Sequence, residues 1–479
     1  MYDVIIVGAG VIGASVAREL AKYNLKTLVL EKNSDVGDET SSANSAIVHS
    51  GYDPHPGSLK AELNVLGNEM FEKLCEELDV EFDRIGSLTV ATNLEEADYL
   101  SKLYQNALEN GVEVEMVCCG KLHEMEPFIT KKAIKALYAK TAGIVNPFEL
   151  VVALMENAID NGVELHLDEE VIGIFNADNL YTVKTKLSEY QTKVVVNCAG
   201  LNSDVINNYV SKQKETIKPR KGEYYVLDHF VGDYVKHTLF SVPSSKGKGV
   251  LVSPTTHGNY LIGPSSEFVG EKDDKATDSM TLKEVINQAY RLVDVIPMQH
   301  VIRQFSGLRA YHESNDFVIN SPKFGFINLL GIQSPGLASS PAIALKAADM
   351  IKECFDKVIE NPNFNPRRRP LYRLNKMSIE QRNQLISKDP RFGQMVCRCE
   401  KVSLGEVVDC IHRSCGARTI KGVKKRVRPG FGKCQGGFCE PLIMKILADE
   451  LGKNQLDIKY SNPNSYILLR DSKGENNEC

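Results

Sequence analysis

The chain has 479 residues, 43% hydrophobic and 25% charged, with a net charge of −5. That length exceeds what one hydrophobic core serves, so two or three domains of an ordinary soluble globular protein are expected. No run of 18 apolar residues offers a membrane span, and the N-terminus enters a strand-like run with no basic leader, so a cytoplasmic protein is expected, with peripheral membrane contact left open. The charge is uneven: residues 391–445 hold 12 Lys and Arg against 4 Asp and Glu. In a reducing compartment the 12 cysteines point to metal ligation or free thiols rather than disulfides.

Tyr2 to Val7 is an apolar run of strand length that leads straight into Gly8-Ala-Gly-Val-Ile-Gly13. Residues 14–22 read as a helix and Lys26 to Glu31 as a second strand ending in an acid. In that order the parts predict a dinucleotide site. Gly8 permits the tight turn, Gly10 lets the backbone approach a pyrophosphate, and Gly13 lets helix and strand pack closely. The helix N-terminus attracts phosphate, and Glu31 can accept hydrogen bonds from a ribose hydroxyl.

The polar loop that follows offers Ser41, Ser42 and Asn44 as further phosphate partners, or else is an ordinary solvated loop. Helices are predicted over Ser58 to Leu78, Glu95 to Glu109 and Phe148 to Asn161, with a strand from Gly86 to Ala91. The segment between the last two helices reads as looser. Val194 to Val196 is a buried-type strand, and the small-residue turn after it places Ala199 and Gly200 where a cofactor backbone contact can form. From Tyr224 to Leu308 the chain is strand-like, with one helix near Leu282 to Val293, which predicts an antiparallel sheet roofing a substrate cavity. Phe326 to Leu330 then feeds the turn Gly331 to Gly336 and a helix over Ser340 to Phe355, with Pro341 in its first turn. Glu360 to Arg373, with its three prolines, reads as a linker, and Tyr466 to Leu469 as a last strand.

The C-terminal module carries Cys397-Arg-Cys399, 34 intervening residues, then Cys434-Gln-Gly-Gly-Phe-Cys439. Thiolates select iron–sulfur clusters, zinc or Cu(I). A C-x-C pair fits structural zinc poorly and a [2Fe–2S] cluster well, and the glycines at 430, 432, 436 and 437 let backbone N–H groups face the sulfurs. Zinc and unliganded thiols remain as alternatives, and Cys410 and Cys415 read as helix or loop thiols. Aromatic residues are too sparse here, with only Phe431 and Phe438, for this basic region to predict nucleic-acid binding.

On Gly8–Gly13, Gly200 and Gly331–Gly336, the chain resembles the FAD-dependent oxidoreductases of the D-amino-acid oxidase superfamily. Ala46-Ile-Val-His-Ser-Gly51, Pro56-Gly-Ser-Leu-Lys-Ala61 and Lys221-Gly-Glu-Tyr-Tyr225 resemble L-2-hydroxyglutarate dehydrogenases in particular. Cys397 to Cys439 resembles the bacterioferritin-associated-ferredoxin-like [2Fe–2S] domain, found also at the end of anaerobic glycerol-3-phosphate dehydrogenase subunits. The resemblance implies an α/β protein: a discontinuous Rossmann-like FAD-binding domain (1–75, 145–220 and 305–358), an antiparallel-sheet substrate domain (76–144 and 221–304), a linker (359–390), a small helical [2Fe–2S] domain (391–455) and a tail (456–479). FAD contacts are implied for Gly8, Gly10, Val11, Ile12, Gly13, Glu31, Lys32, Ser41, Ser42, Asn44, Val171, Ala199, Gly200, Gly336, Leu337 and Ala338, and cluster ligation for Cys397, Cys399, Cys434 and Cys439.

The implied activity is oxidation of the secondary alcohol of a small anionic substrate, glycerol 3-phosphate or a 2-hydroxy acid, with electrons passed through the cluster to a protein or quinone. An electron-transfer subunit of a multi-subunit dehydrogenase and an amine or amino-acid dehydrogenase of the same superfamily are the competing readings. Glycerol-3-phosphate dehydrogenases of the superfamily carry an Arg shortly after the motif at His49; here His49-Ser-Gly-Tyr-Asp53 has none, which favours a carboxylate. Arg309 is expected to bind the acid group bidentately, His49 to act as base or to pack on the flavin, and Lys221 and Tyr225 to line the site. His257 and His312 are reserve bases. The first turn of the helix near Gly336, Leu337 and Ala338 would offer N–H donors to the flavin.

Overall fold

Residues 1–243 and 249–470 are described by the computed structural model of the protein. The strand Tyr2–Val7 lies in the middle of an eight-stranded sheet, and Val4, Ile5 and Ile6 are fully buried. It pairs in parallel with Thr27–Leu30 on one side and with Glu189–Asn197 on the other, with Val4 opposite Val194. Phe326–Leu330 continues the parallel set beside Val195 to Asn197, and Glu164–His166 closes the far edge. Parallel strands covered on both faces read as unbroken apolar runs, which is why Tyr2–Val7, Thr27–Leu30, the Val194–Val196 stretch and Phe326–Leu330 were visible in the sequence, whereas the short, half-exposed edge strand Glu164–His166 was not. An antiparallel pair, Val171–Ala177 and Leu180–Thr185, extends the other edge.

Helices Val11–Leu20, Pro147–Asp160, Leu59–Leu78 and Gly336–Lys352 pack together beside this sheet. The approach is close at Gly67, where a Cβ would lie 2.2 Å from the Ala338 carbonyl oxygen. Two helices start earlier than the pattern suggested. The first begins at Val11, directly after the glycine turn, and the last at Gly336, so Pro341 sits inside it rather than in its first turn. The Leu337 carbonyl that Pro341 cannot serve accepts instead from the Ser340 hydroxyl at 2.9 Å.

The second sheet has nine strands and is antiparallel except where Thr238–Ser241 meets Ser87–Ala91. Its long members are Lys218–Leu227 and Val301–Tyr311, paired from Lys218↔Tyr311 to Leu227↔Val301. The sheet therefore runs past residue 304, where the first domain was expected to resume. The looser segment also belongs to it, through Val114–Cys118 and Lys135–Ala139.

The segment expected as a linker is packed down instead. Arg368 is buried and places Nε and Nη2 on Glu156 at 3.0 and 2.9 Å, and Arg413 of the C-terminal module reaches the same carboxylate at 2.6 Å. Arg373 binds Asp79, and Ile379–Lys388 is a helix with a capping box at Ser378. The C-terminal module is built on helices Leu404–His412, Ile420–Val427 and Glu440–Leu451 around their own core. The final expected strand is absent among the described residues: Tyr466 makes one bridge to Lys459, and Leu469 is exposed. The rest of the tail, 471–479, lies outside those residues. No helix among the described residues is long and apolar enough to cross a membrane.

A buried charge cluster joins the module to the first domain. Arg426 holds Asp35 with two hydrogen bonds of 2.8 and 2.9 Å, and Lys425 reaches Asp35, Asp38 and the Val36 carbonyl. Burial pushes the Asp35 carboxyl up, but the Arg426 and Lys425 charges more than reverse this and hold it below the usual range. A depressed carboxylate stabilises the fold above its ordinary pKa of about 4 and loses that contribution as acid protonates it. Thermal stability should thus vary little through this pair from about pH 8 to about pH 5 and fall below about pH 4. Arg426→Ala should cost about 3–5 kcal/mol in denaturant titrations, because it strands a buried carboxylate, and adding Asp35→Ala should recover part of that loss.

Candidate active site and thiol cradle

The glycine turn is forced by close approach. Gly8 has φ +104°, and a Cβ there would lie 2.6 Å from the Cys198 carbonyl oxygen; a Cβ on Gly13 would lie 1.9 Å from the Gly8 oxygen. Ser41 Oγ accepts from the Val11 N–H at 2.9 Å, at the open helix end, a position of the kind that suits a phosphate. Glu31 is buried and accepts from the Ala9 N–H at 2.8 Å and from both nitrogens of Asn33 at 2.9 Å. Burial raises its pKa despite these donors. Its carboxylate thus braces the glycine turn, and Gly37 N–H does the same through the Ala9 carbonyl.

A cavity of about 1210 Å³ runs from Gly10, Val11 and Ile12 past Ser41, Asn44 and Gly200 to Gly336 and Leu337. Such a volume suits a large cofactor together with a small substrate. The rest of the expected cofactor set lies off this wall. Ala199 flanks Gly200, Ala338 is fully buried against Gly67, Lys32 faces Glu39, the Ser42 hydroxyl donates to the Glu39 carbonyl, and Val171 opens the strand paired with Leu180–Thr185.

His49 lines the cavity, stacked on Phe240 at 5.9 Å with Nε2 3.3 Å from Ser334 Oγ. Arg309 also lines the cavity, on the antiparallel sheet, and crosses Gly222 so closely that a Cβ there would lie 2.4 Å from Nη2. Its register partner on the neighbouring strand is Arg220, which faces the same cavity. Burial, then the Arg309 charge, lowers the Arg220 pKa. Tyr224 stacks on Phe305 at 4.7 Å, with its hydroxyl 3.0 Å from Ser45 Oγ.

Two of the expected lining residues point the other way. A strand alternates faces, so Arg220, Gly222 and Tyr224 face the cavity while Lys221 and Tyr225 do not. Lys221 binds Asp274 and the Ala276 carbonyl, and Tyr225 packs in the core behind the sheet. The reserve histidines are also off the cavity wall. His257 is held by Asn146 and Glu81, with its pKa driven down to about 2 by burial and the cations Arg428, Lys376 and Arg373; His312 is held by Glu215 and Ser314. Arg220 and Tyr224 were missed; only the strand register, not the residue types, could have separated them from their neighbours.

In the C-terminal module Cys399 and Cys434 sulfurs lie 3.7 Å apart, and Cys397 lies within hydrogen-bonding reach of Cys439. A hydrogen bond from Cys439, joined by backbone N–H groups of Glu400, Gly430 and Cys399, brings the Cys397 thiol down to about 6 despite desolvation. Gly432 abuts Cys399, where a Cβ would come within 2.5 Å of the Cys399 Cβ. Four soft donors ringed by N–H groups and packed glycines fit an iron–sulfur cluster. Among the described residues no group of three or more His, Cys, Asp or Glu is arranged for a single metal ion. Cys410 and Cys415 are buried elsewhere, with burial pushing their thiols up to about 12 and about 11.

A braced glycine turn opening on a long cavity, with clustered thiols in a separate module, defines a flavoprotein oxidoreductase with an iron–sulfur centre. The chain belongs to the FAD dependent oxidoreductase family, whose model matches residues 3–350, and residues 395–449 match the BFD-like [2Fe-2S] binding domain. A glycerol 3-phosphate dehydrogenase of Caloramator mitchellensis is 49% identical over 99% of this chain and 100% of its own. An L-2-hydroxyglutarate dehydrogenase of Escherichia coli is 28% identical over 57% of this chain and 66% of its own. Among solved structures, an L-alpha-glycerophosphate oxidase from Mycoplasma pneumoniae with FAD bound aligns with a TM-score of 0.74 at 28% identity, covering 78% of this chain and 99% of that one.

Cys434→Ser should abolish the iron and acid-labile sulfide of the purified protein and its cluster absorbance while leaving bound flavin. Cys410→Ser should leave the iron content unchanged, as elemental analysis would show.

Proposed function

We propose that the protein is a glycerol-3-phosphate dehydrogenase that passes the electrons of its substrate to the thiol-held cluster. The cross-strand pair Arg220 and Arg309, both facing the cavity, carries this reading. Two guanidinium forks side by side match a phosphate dianion in charge and in geometry. The Arg missing after His49 is thereby replaced from the antiparallel sheet. The relative that matches end to end at 49% identity bears the name of this activity. A glycerophosphate oxidase matches only about three-quarters of the chain, and the remainder is of the size of the segment from residue 359 on. An attached cluster module gives electrons a route other than oxygen, which favours a dehydrogenase.

Bound FAD would supply the hydride acceptor, held by the glycine turn that Glu31 braces and by Ser41 and Gly200. Arg220 and Arg309 fix the dianionic end of the substrate and so orient its secondary hydroxyl toward His49. His49, set between Phe240 and Ser334, takes the hydroxyl proton on Nε2. The helix that begins at Gly336 turns its N-terminal end, with its partial positive charge, to the cavity and favours negative charge there. L-2-hydroxyglutarate is the second reading, because its two carboxylates also satisfy two arginines and the residues around His49 resemble enzymes that oxidise it.

Anaerobic mixing with sn-glycerol 3-phosphate should bleach the oxidised flavin within the turnover time, while L-lactate and L-amino acids should not. Bleaching by L-2-hydroxyglutarate alone would replace the substrate, and bleaching only by a partner's reductant would make the chain an electron-transfer subunit. Arg220→Ala and Arg309→Ala should each raise KM for glycerol 3-phosphate roughly 30-fold or more, with the flavin spectrum unchanged. Arg309→Lys should recover little, since a point charge does not replace the fork.

A further inference from the structure

The module has an inner and an outer side. On the inner side Gln435 binds Arg303 at 3.1 Å, Arg428 binds Asn259 at 3.2 Å and Phe431 lies 5.4 Å from Phe148, all against the first two domains. Cys397 and Cys439 are buried, whereas Cys399 is exposed and Cys434 half-exposed. The residues flanking those two thiols are cationic and face solvent: Arg398 and Lys401 beside Cys399, Lys433 beside Cys434. None of these three has an ion-pair partner among the described residues. The two nearby carboxylates are turned inward, Glu400 onto Arg428 at 3.1 Å and Glu440 onto the Gly430–Gly436 loop. In the same loop Phe438 is 88% exposed, and Pro441 and Leu442, one helical turn on, are exposed as well. A bare aromatic inside a ligand-bearing loop, rimmed by unpaired cations, is the composition of a protein-docking face.

We propose that this face docks a small acidic carrier protein that takes one electron at a time. The proposal rests on the reading that electrons reach the thiol-held cluster from the substrate cavity. Oxidation of one secondary alcohol to a carbonyl breaks a C–H and an O–H bond and releases two electrons and two protons. Two carrier molecules take one electron each in succession, and the protons pass to solvent. The charge complementarity steers the encounter, and Phe438 with its apolar neighbours gives the short-lived complex its dry contact over the exposed thiols.

The test uses the full-length holoenzyme, reduced with dithionite, desalted and mixed anaerobically in stopped flow. Oxidised rubredoxin serves as the acidic one-electron probe and cytochrome c as the basic one. Rubredoxin reduction should slow at least about 10-fold between about 20 mM and about 500 mM salt, and cytochrome c should show no such slowing. Lys433→Glu combined with Arg398→Glu should slow rubredoxin at least about 10-fold at low salt and speed cytochrome c. Phe438→Ser should slow rubredoxin at both salt concentrations. Lys433→Gln is the milder substitution if the charge reversal loses iron, and iron content is measured for every variant.

A rubredoxin rate indifferent to salt and to these variants would overturn the proposal. So would faster electron transfer to a quinone in anionic lipid vesicles that the same variants abolish, which would give the face to a membrane. Substrate bleaching is measured on the same samples. Bleaching that leaves rubredoxin oxidised overturns the docking alone. Salt-sensitive rubredoxin reduction by dithionite-reduced enzyme without substrate bleaching overturns the substrate reading alone.

Discussion

The buried pairing of Asp35 and Asp38 with Arg426 and Lys425 is the constraint on which the two redox centres depend. It does not join two finished surfaces. The loop from Asn33 to Asp38 follows Glu31, and Gly37 in it donates to the Ala9 carbonyl inside the glycine turn. A helix of the cluster module therefore grips the loop that braces the dinucleotide turn. Four charges, all nearly inaccessible, would be costly to bury separately; together each offsets the desolvation of the others and fixes one relative placement of the modules. Glu156 repeats the device by receiving one arginine from the connecting segment and one from the module.

The parts of this arrangement that were legible in the sequence share a physical origin. Parallel buried strands give continuous apolar runs, and the glycine turn is dictated by contacts as short as that between Gly13 and Gly8. Both leave a local signature. The pairs Cys397/Cys399 and Cys434/Cys439 did too, because their close spacing marks the thiols that the fold brings together.

What escaped was set by partners far along the chain. Lys221 and Tyr225 are chemically plausible site residues, yet a one-residue choice of strand face gives the cavity to Arg220 and Tyr224. That face is decided by pairing with Val301–Tyr311, about eighty residues away. The connecting segment misled for a similar reason. Its prolines and arginines have the composition of a solvated linker, and only the buried carboxylates Glu149 and Glu156 on another helix turn them into a fixed strap. Composition reports what a segment can tolerate, not which charges await it.

The separation of 391 residues between Asp35 and Arg426 has a consequence for biogenesis. The strand and glycine turn are the first parts of the chain to leave the ribosome, but the helix that grips their loop is among the last. During translation the nascent dinucleotide turn, already braced by Glu31 and Gly37, waits without the cations that pair with Asp35 and Asp38 until Lys425 and Arg426 emerge. Messages or ribosomes that stop early would yield a nearly full-length chain with Asp35 and Asp38 left without their cations, a natural substrate for quality-control proteases.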